Sequence, residues 1–297
     1  ATDLRYAGFE ILDGTVPMTS GLPQATDGGE TLIVTMEQPG LRVKLFFTLF
    51  DTALTRRTVV ENTGAEPLTV TKVMSAMADL PGSYDMTTFD GGWIAEMRKH
   101  TLPVLDSRVV NESTTGFSSN RHNPGFLLSE PGATEESGTV YGFNLVYSSN
   151  FTATAECDFN ATTRFIMGIN PTGFSWKLEP GETFHTPEAV TVYSDSGLGG
   201  MSAQFHRVCA EHLVRGKFAK APRPILLNNW EATYFGFNEE KLLKIARTAA
   251  DVGVELFVLD DGWFGKRNDD TSSLGDWKVN PEKLPNGLKG LVDRVKA

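Results

Sequence analysis

The sequence is poor in cysteine, in histidine and in positive charge, and each shortage removes a class of function. Only two cysteines occur in 297 residues, Cys157 and Cys209, with no C-x-x-C pair. Neither a disulfide framework nor a zinc knuckle can be built from them, and both read as reduced, buried thiols. Lys and Arg number 27 against 37 Asp and Glu, a formal charge of −10 and a pI near 5.1. A polyanion-binding surface needs clustered cations, so this balance argues against nucleic acid and suits a neutral or cationic partner. No apolar run approaches the about 18 residues of a membrane span. The opening ATDLRYAGFE has neither the basic start nor the apolar core of a signal peptide. It also lacks an initiator Met, which fits a processed protein or a piece of a longer one. There is no low-complexity segment and no repeat of fixed period.

What is present falls into two halves with different periods. In LRVKLFFTLF, Leu41, Val43, Leu45, Phe47 and Leu49 alternate strictly, predicting a strand with that face buried. Comparable runs follow at TRRTVVENTG, PLTVTKVM, TVYGFNLVYSS, TTRFIMGI, GFSWKL and EAVTVYS. Turn chemistry separates them: Asn62 to Gly64, Pro131-Gly132, Asn170-Pro171-Thr172-Gly173 and Glu179-Pro180-Gly181. Many short strands without helices between them predict a large antiparallel sandwich over residues 1–195.

The pattern changes near Ser196. MSAQFHRVCAEHLVRG spaces Met201, Phe205, Val208, Cys209, His212 and Leu213 helically and can end at Gly216, a linker helix within 196–222. From 223 to 297 the order is β-α-β-α. ILLNNW is a short strand. Asn238 can cap a helix striped by Leu242, Ile245, Ala246 and Ala249, and LKGLVDRVKA is a second helix. Between them VELFVL is wholly apolar, as parallel strands covered on both faces tend to be. This is the opening of a parallel α/β fold, far shorter than the about 250 residues of a closed (β/α)8 barrel.

The chemistry concentrates in VLDDGWFG. Asp260 and Asp261 stand at the C-terminal end of the VELFVL strand, where parallel α/β folds place their sites. The plainer reading is that one caps the turn and the other is solvated. A glycosidase acid and nucleophile lie on opposite sides of a sugar, about 5 Å or more apart, which neighbours on one strand end cannot straddle. Two ionised carboxylates are better suited to accepting hydrogen bonds from vicinal sugar hydroxyls. A metal role lacks ligands, since the nearest upstream histidine is His212 in the linker helix. Trp230, Trp263 and Phe264 either stack on a pyranose face or pack the strand-helix junctions.

These residues also look like a known group. PRPILLNNWEATYF and VGVELFVLDDGWFGKRNDDTSSLGDWKVNPEKLPNGL, with a D-W-x-x-N-x-x-K-L-P-x-G-L signature, resemble the start of the barrel in α-galactosidases of glycoside hydrolase family 36. FDGGWIAEMRKH and SSNRHNPGFLL resemble segments of that family's N-terminal β-supersandwich, so the likeness covers essentially the whole chain. The resemblance implies a multi-domain β plus α/β fold: supersandwich, linker helix, then the first two βα units of an incomplete (β/α)8 barrel. It implies a retaining hydrolase of terminal α-1,6-linked galactose, as in melibiose and raffinose, with no cofactor. Asp260 and Asp261 match its galactose-holding acids, and Trp230 matches an aromatic lining the same pocket. Trp93 matches a tryptophan that, in homotetrameric members, reaches into a neighbouring subunit's site.

The chain also departs from the family pattern. Ala95 stands where many members carry an arginine. The family's nucleophile is an aspartate in a K-W-D segment with the acid/base beyond it, and both are expected downstream of Ala297. GDWKVN has the same letters in another order. By this reading no catalytic residue lies in the chain, and alone it is inactive. The competing readings are a non-catalytic carbohydrate-binding or assembly module, an α-N-acetylgalactosaminidase, and a raffinose-synthase-like transferase. The sequons at Asn111, Asn150 and Asn160 are of a kind that arises by chance, and a cytoplasmic location is expected.

Overall fold

The computed structural model describes residues 3–105, 107–118 and 121–297, so Ser119 and Asn120 of the SSNRHNPGFLL segment lie outside the described residues. The chain divides into two units, Ala1–Ala219 and Lys220–Ala297.

The first unit opens with β1 (Arg5–Asp13), β2 (Glu30–Gln38), β3 (Leu41–Leu49) and β4 (Leu54–Asn62). Next come β5 (Leu68–Val70), β6 (Met74–Pro81), β7 (Asp85–Asp90), β8 (Arg98–Pro103) and β9 (Arg108–Glu112). The series closes with β10 (His122–Ser129), β11 (Val140–Leu145), β12 (Phe151–Cys157), β13 (Thr162–Ile169), β14 (Trp176–Leu178), β15 (Thr183–His185) and β16 (Ala189–Ser194). A 10-stranded sheet runs β1-β2-β3-β4-β16-β11-β10-β7-β8, with β15 also on β4. A 4-stranded sheet runs β6-β13-β12-β9. Every pairing in these two sheets is antiparallel, and the mostly antiparallel sandwich read from the alternation is present.

The two sheets are glued by apolar side chains from both. Met86, Phe126, Leu128, Phe143 and Leu145 of the large sheet meet Phe151, Ala153, Ala155, Phe165 and Met167 of the small one, all buried. The far side of the large sheet is covered by α1 (Gly197–Val208), whose Met201 and Val208 pack on Leu127, Val140, Val190 and Val192. Gly142 in β11 permits that approach, since a Cβ there would lie 2.5 Å from the Phe205 ring and 2.7 Å from Met201 Sδ.

Two expectations about this unit need correction. In β3 the deepest residues are Phe46 and Thr48, while Leu49 of the predicted apolar face is 63% exposed. Leu41 and Val43 pack on a cluster around Val60, Leu178 and Phe184, whereas Phe46 joins another with Ile33 and Val59, so the strand has a core on each side. Cys157 is buried but Cys209 is exposed. Its amide still bonds the Phe205 carbonyl in the α-helical pattern, so it lies about 100° around the helix from Val208, which takes the buried position; a π-helical turn, Cys209–Leu213, starts there. Among the sequons, Asn111 is buried and donates to the Asn123 carbonyl at 2.8 Å, which does not suit a glycan.

A buried carboxyl makes this unit's stability depend on pH. Glu188 accepts from the Ala25 amide at 2.6 Å and the Thr55 hydroxyl at 3.1 Å. Burial pushes its pKa up, only partly offset by those donors and by Arg57 and Arg215. A carboxyl raised in the folded state favours folding below its ordinary value near 4.5 and loses that contribution as pH rises through the folded value. Glu188→Gln is therefore expected to raise the thermal midpoint at pH 7.5, with the gain vanishing near pH 4. A gain that is the same at both pH values would contradict this.

The second unit holds β17 (Leu226–Asn228), α2 (Trp230–Thr233), α3 (Glu239–Asp251), β18 (Leu256–Val258) and α4 (Gly287–Lys296). Strands β17 and β18 pair in parallel, as the β-α-β-α order requires. Asn238 caps α3 through a 2.9 Å bond from the Lys241 amide. Leu242 and Leu243 of α3 meet Leu291 of α4 and Phe257 of β18 in one cluster. The predicted cover on both strand faces is incomplete within this unit, since Leu226 and Leu256 are exposed.

Candidate active site

The site is built where the two parallel strands end side by side. The backbone amide of Asn229 donates to the Val258 carbonyl at 3.2 Å, and the Asp260 amide donates back to Asn229 Oδ1 at 2.8 Å. Asn229 is fully buried, and its Nδ2 donates to the Thr233 hydroxyl at 2.8 Å. Its neighbour Asn228 reaches Asp260 directly, Nδ2 to Oδ2, at 2.5 Å. The same Asn228 accepts from the Trp230 amide at 2.8 Å, so one side chain sets both the tryptophan's turn and the first carboxylate.

The two aspartates are held differently. Asp260 Oδ1 accepts from the Asp261 amide at 2.7 Å and Oδ2 from Asn228. A carboxylate offers about four acceptor positions, so Asp260 keeps about two for a ligand. Asp261 accepts from the Gly262 amide at 2.6 Å and from a guanidinium fork, Arg267 Nε at 2.7 and 2.9 Å and Nη2 at 2.8 Å. The Arg267 fork holds the Asp261 carboxyl below its ordinary range against the opposing effect of desolvation. Both carboxylates are half-buried, while Arg267 is buried.

The aromatic residues separate into two roles. Trp230 is half-buried and meets Tyr234 and Phe235 edge-on at 5.3 and 4.9 Å. Phe264 is 3% exposed against Trp277, and Trp263 packs on the cluster of α3 and α4, which is the junction-packing alternative for both. Trp93 belongs to the other unit, in the turn between β7 and β8, and is 86% exposed. The base of that turn is closed by His122 Nδ1 against Asp90 Oδ1 at 3.0 Å and by the Gly91 amide on the Arg121 carbonyl at 3.2 Å.

Sequence reasoning named Asp260, Asp261, Trp230 and Trp93; around the first three the structure adds Asn228, Asn229 and Arg267, which that reasoning did not single out. The paired asparagines closing the first strand, mirrored by paired aspartates closing the second, were the available signal. Among the described residues no group of three or more His, Cys, Asp or Glu could hold a metal ion. None of the helices there is long and apolar enough to cross a membrane.

Comparison with known proteins matches both halves. Residues 1–179 match the glycosyl hydrolase family 36 N-terminal domain and residues 183–297 match Melibiase. The α-galactosidase AgaA of Geobacillus stearothermophilus is 47% identical over 303 residues, 99% of this chain and 41% of that protein. The bifunctional α-galactosidase/sucrose kinase AgaSK of Mediterraneibacter gnavus is 37% identical over 99% of this chain and 32% of its own length. The crystal structure of AgaA superposes with a TM-score of 0.96 at 46% identity, covering 100% of this chain and 42% of that one. The chain thus spans about two fifths of AgaA. With both halves matched and this identity sustained from end to end, the chain belongs to glycoside hydrolase family 36.

Proposed function

We propose that this chain carries the galactose grip of a retaining α-galactosidase acting on terminal α-1,6-linked galactose, as in melibiose and raffinose. The observation that carries this reading is the carboxylate pair closing β18: fixed in place, with acceptor capacity left on Asp260, and tied through Asn228 to the turn of Trp230. Ionised acceptors bind sugar hydroxyls more strongly than neutral ones do, and a half-buried indole can stack on a pyranose face. Substituted variants of AgaA have been crystallised with raffinose, with stachyose and with 1-deoxygalactonojirimycin, which supports the substrate class.

In this reading residues 1–195 are the supersandwich, 196–222 the linker, and 223–297 the first two βα units of a (β/α)8 barrel. The nucleophile and acid/base are not among the 297 residues, so the chain alone does not turn over substrate. Trp93, exposed on its turn, enters a neighbouring subunit's pocket in a homotetramer, where burial of the indole would offset its exposure here.

The reading is tested by calorimetric titration of the chain with methyl α-galactopyranoside and with its C4 epimer, the glucoside. Expected are saturable binding of the galactoside, markedly weaker binding of the glucoside, and no hydrolysis of 4-nitrophenyl α-galactoside. Equal affinity for both epimers, or measurable turnover, would overturn it.

A further inference from the structure

The lysine of the K-L-P stretch has a physical role of its own. Lys283 is 8% exposed, and its ammonium donates to three carbonyls: Phe235 at 3.0 Å, Gly262 at 2.8 Å and Arg267 at 3.0 Å. An ammonium has three donors, so none is left over. The carbonyls come from both loops of the site. Phe235 follows α2 and Trp230, whereas Gly262 and Arg267 belong to the loop that carries the aspartates.

Both loops are tight where the lysine grips them. Tyr234, just before Phe235, has φ 45° and ψ −130°, a conformation that a residue with a side chain adopts only when its surroundings impose it. Gly262 has φ +88°, and a Cβ there would stand 3.0 Å from the Phe235 ring and 3.3 Å from that of Phe237. The loops therefore touch at Gly262, and one buried cation pins both backbones beside the contact. Arg267, 5% exposed, extends the frame: its Nη1 donates to the Ser272 carbonyl at 2.7 Å while its fork grips Asp261.

We propose that Lys283 and Arg267 are positioning residues that fix the two loops and hold Asp261 oriented before a sugar arrives. This rests on the reading of Asp260 and Asp261 as galactose acceptors. The two cations do not touch the sugar. They remove freedom that binding would otherwise have to freeze, and the Arg267 fork holds the Asp261 carboxylate in one orientation. A lysine that served stability alone would need no particular relation to Asp261. Burial lowers the Lys283 pKa and the nearby Asp261 partly restores it, consistent with one electrostatic unit.

The test pairs two readouts on the whole chain: the pH titration of the Asp261 carboxyl by carbon-13 NMR, and the affinity for galactose. Lys283→Met and Arg267→Met are expected to raise the Asp261 midpoint and to weaken galactose binding about ten-fold, the worth of one charge-assisted bond from a misplaced Asp261 to the sugar. Arg267→Lys keeps the charge without the fork, so the Asp261 midpoint should stay closer to that of the unsubstituted chain while affinity still falls. Should Lys283→Met fail to fold, the Arg267 pair decides alone. Folded variants with an unchanged Asp261 titration and affinity within about two-fold would overturn the proposal. If the unsubstituted chain binds no galactose, the functional reading falls, while the Asp261 titrations still judge the frame.

Discussion

Asp260→Asn is expected to weaken galactose binding by about 100-fold, close to 3 kcal/mol, because it removes an ionised acceptor that would serve two hydroxyls. The substitution nearly preserves shape, so packing changes little. Electrostatics change on both sides. Asp260 accepts from Asn228 Nδ2 on one oxygen and from the Asp261 amide on the other. An amide replaces one acceptor with a donor, and either orientation of its NH2 faces one of these two donors. Titration calorimetry against the unsubstituted chain measures the loss. Affinity within about three-fold would mean that the sugar is held elsewhere, as a binding module built on the sandwich requires.

Phe143→Ala carries the largest expected effect on stability, about 3 to 5 kcal/mol. Phe143 is 1% exposed and lies where the two sheets face each other. Its ring stacks on Phe126 of its own sheet at 4.7 Å and tilts against Phe165 of the other at 4.2 Å. Truncation opens a cavity that rigid strands on both sides cannot close. Since domains are stable by only about 5 to 15 kcal/mol, this is a large share. The urea midpoint of the first unit should fall by about 2 M. Phe159→Ala, in a turn of the same unit where the ring is 92% exposed, should change stability by no more than about 0.5 kcal/mol. Equal effects at the two positions would contradict the sandwich core described above.

The sequence was most readable where one local rule acted alone. Asn238 capped its helix as written, the run at Thr162 to Ile169 formed β13, and the parallel strand ended at Val258, just before Asp260 and Asp261. It was less readable where two rules competed. Strict alternation in β3 suggested one buried face, but a sheet with cores on both sides buries Phe46 opposite Leu41 and Val43. Helical spacing placed Cys209 in the apolar stripe, but its neighbour Val208 takes the buried position. Arg267 and Lys283 left no periodic trace, since their partners are a carboxylate in an irregular loop and three backbone carbonyls. Such roles follow from how loops close, which composition and period do not encode. Trp93 was assigned only by resemblance, and it stands exposed on its turn.

The central claim, that galactose is gripped at the ends of β17 and β18, is tested most directly by mapping amide chemical shifts during titration of the chain with galactose. The largest shifts are expected at Asn228, Trp230 and Asp260 to Gly262, with those residues unmoved by glucose at the same concentration. Shifts confined to residues of the first unit, or none at any galactose concentration, would contradict it.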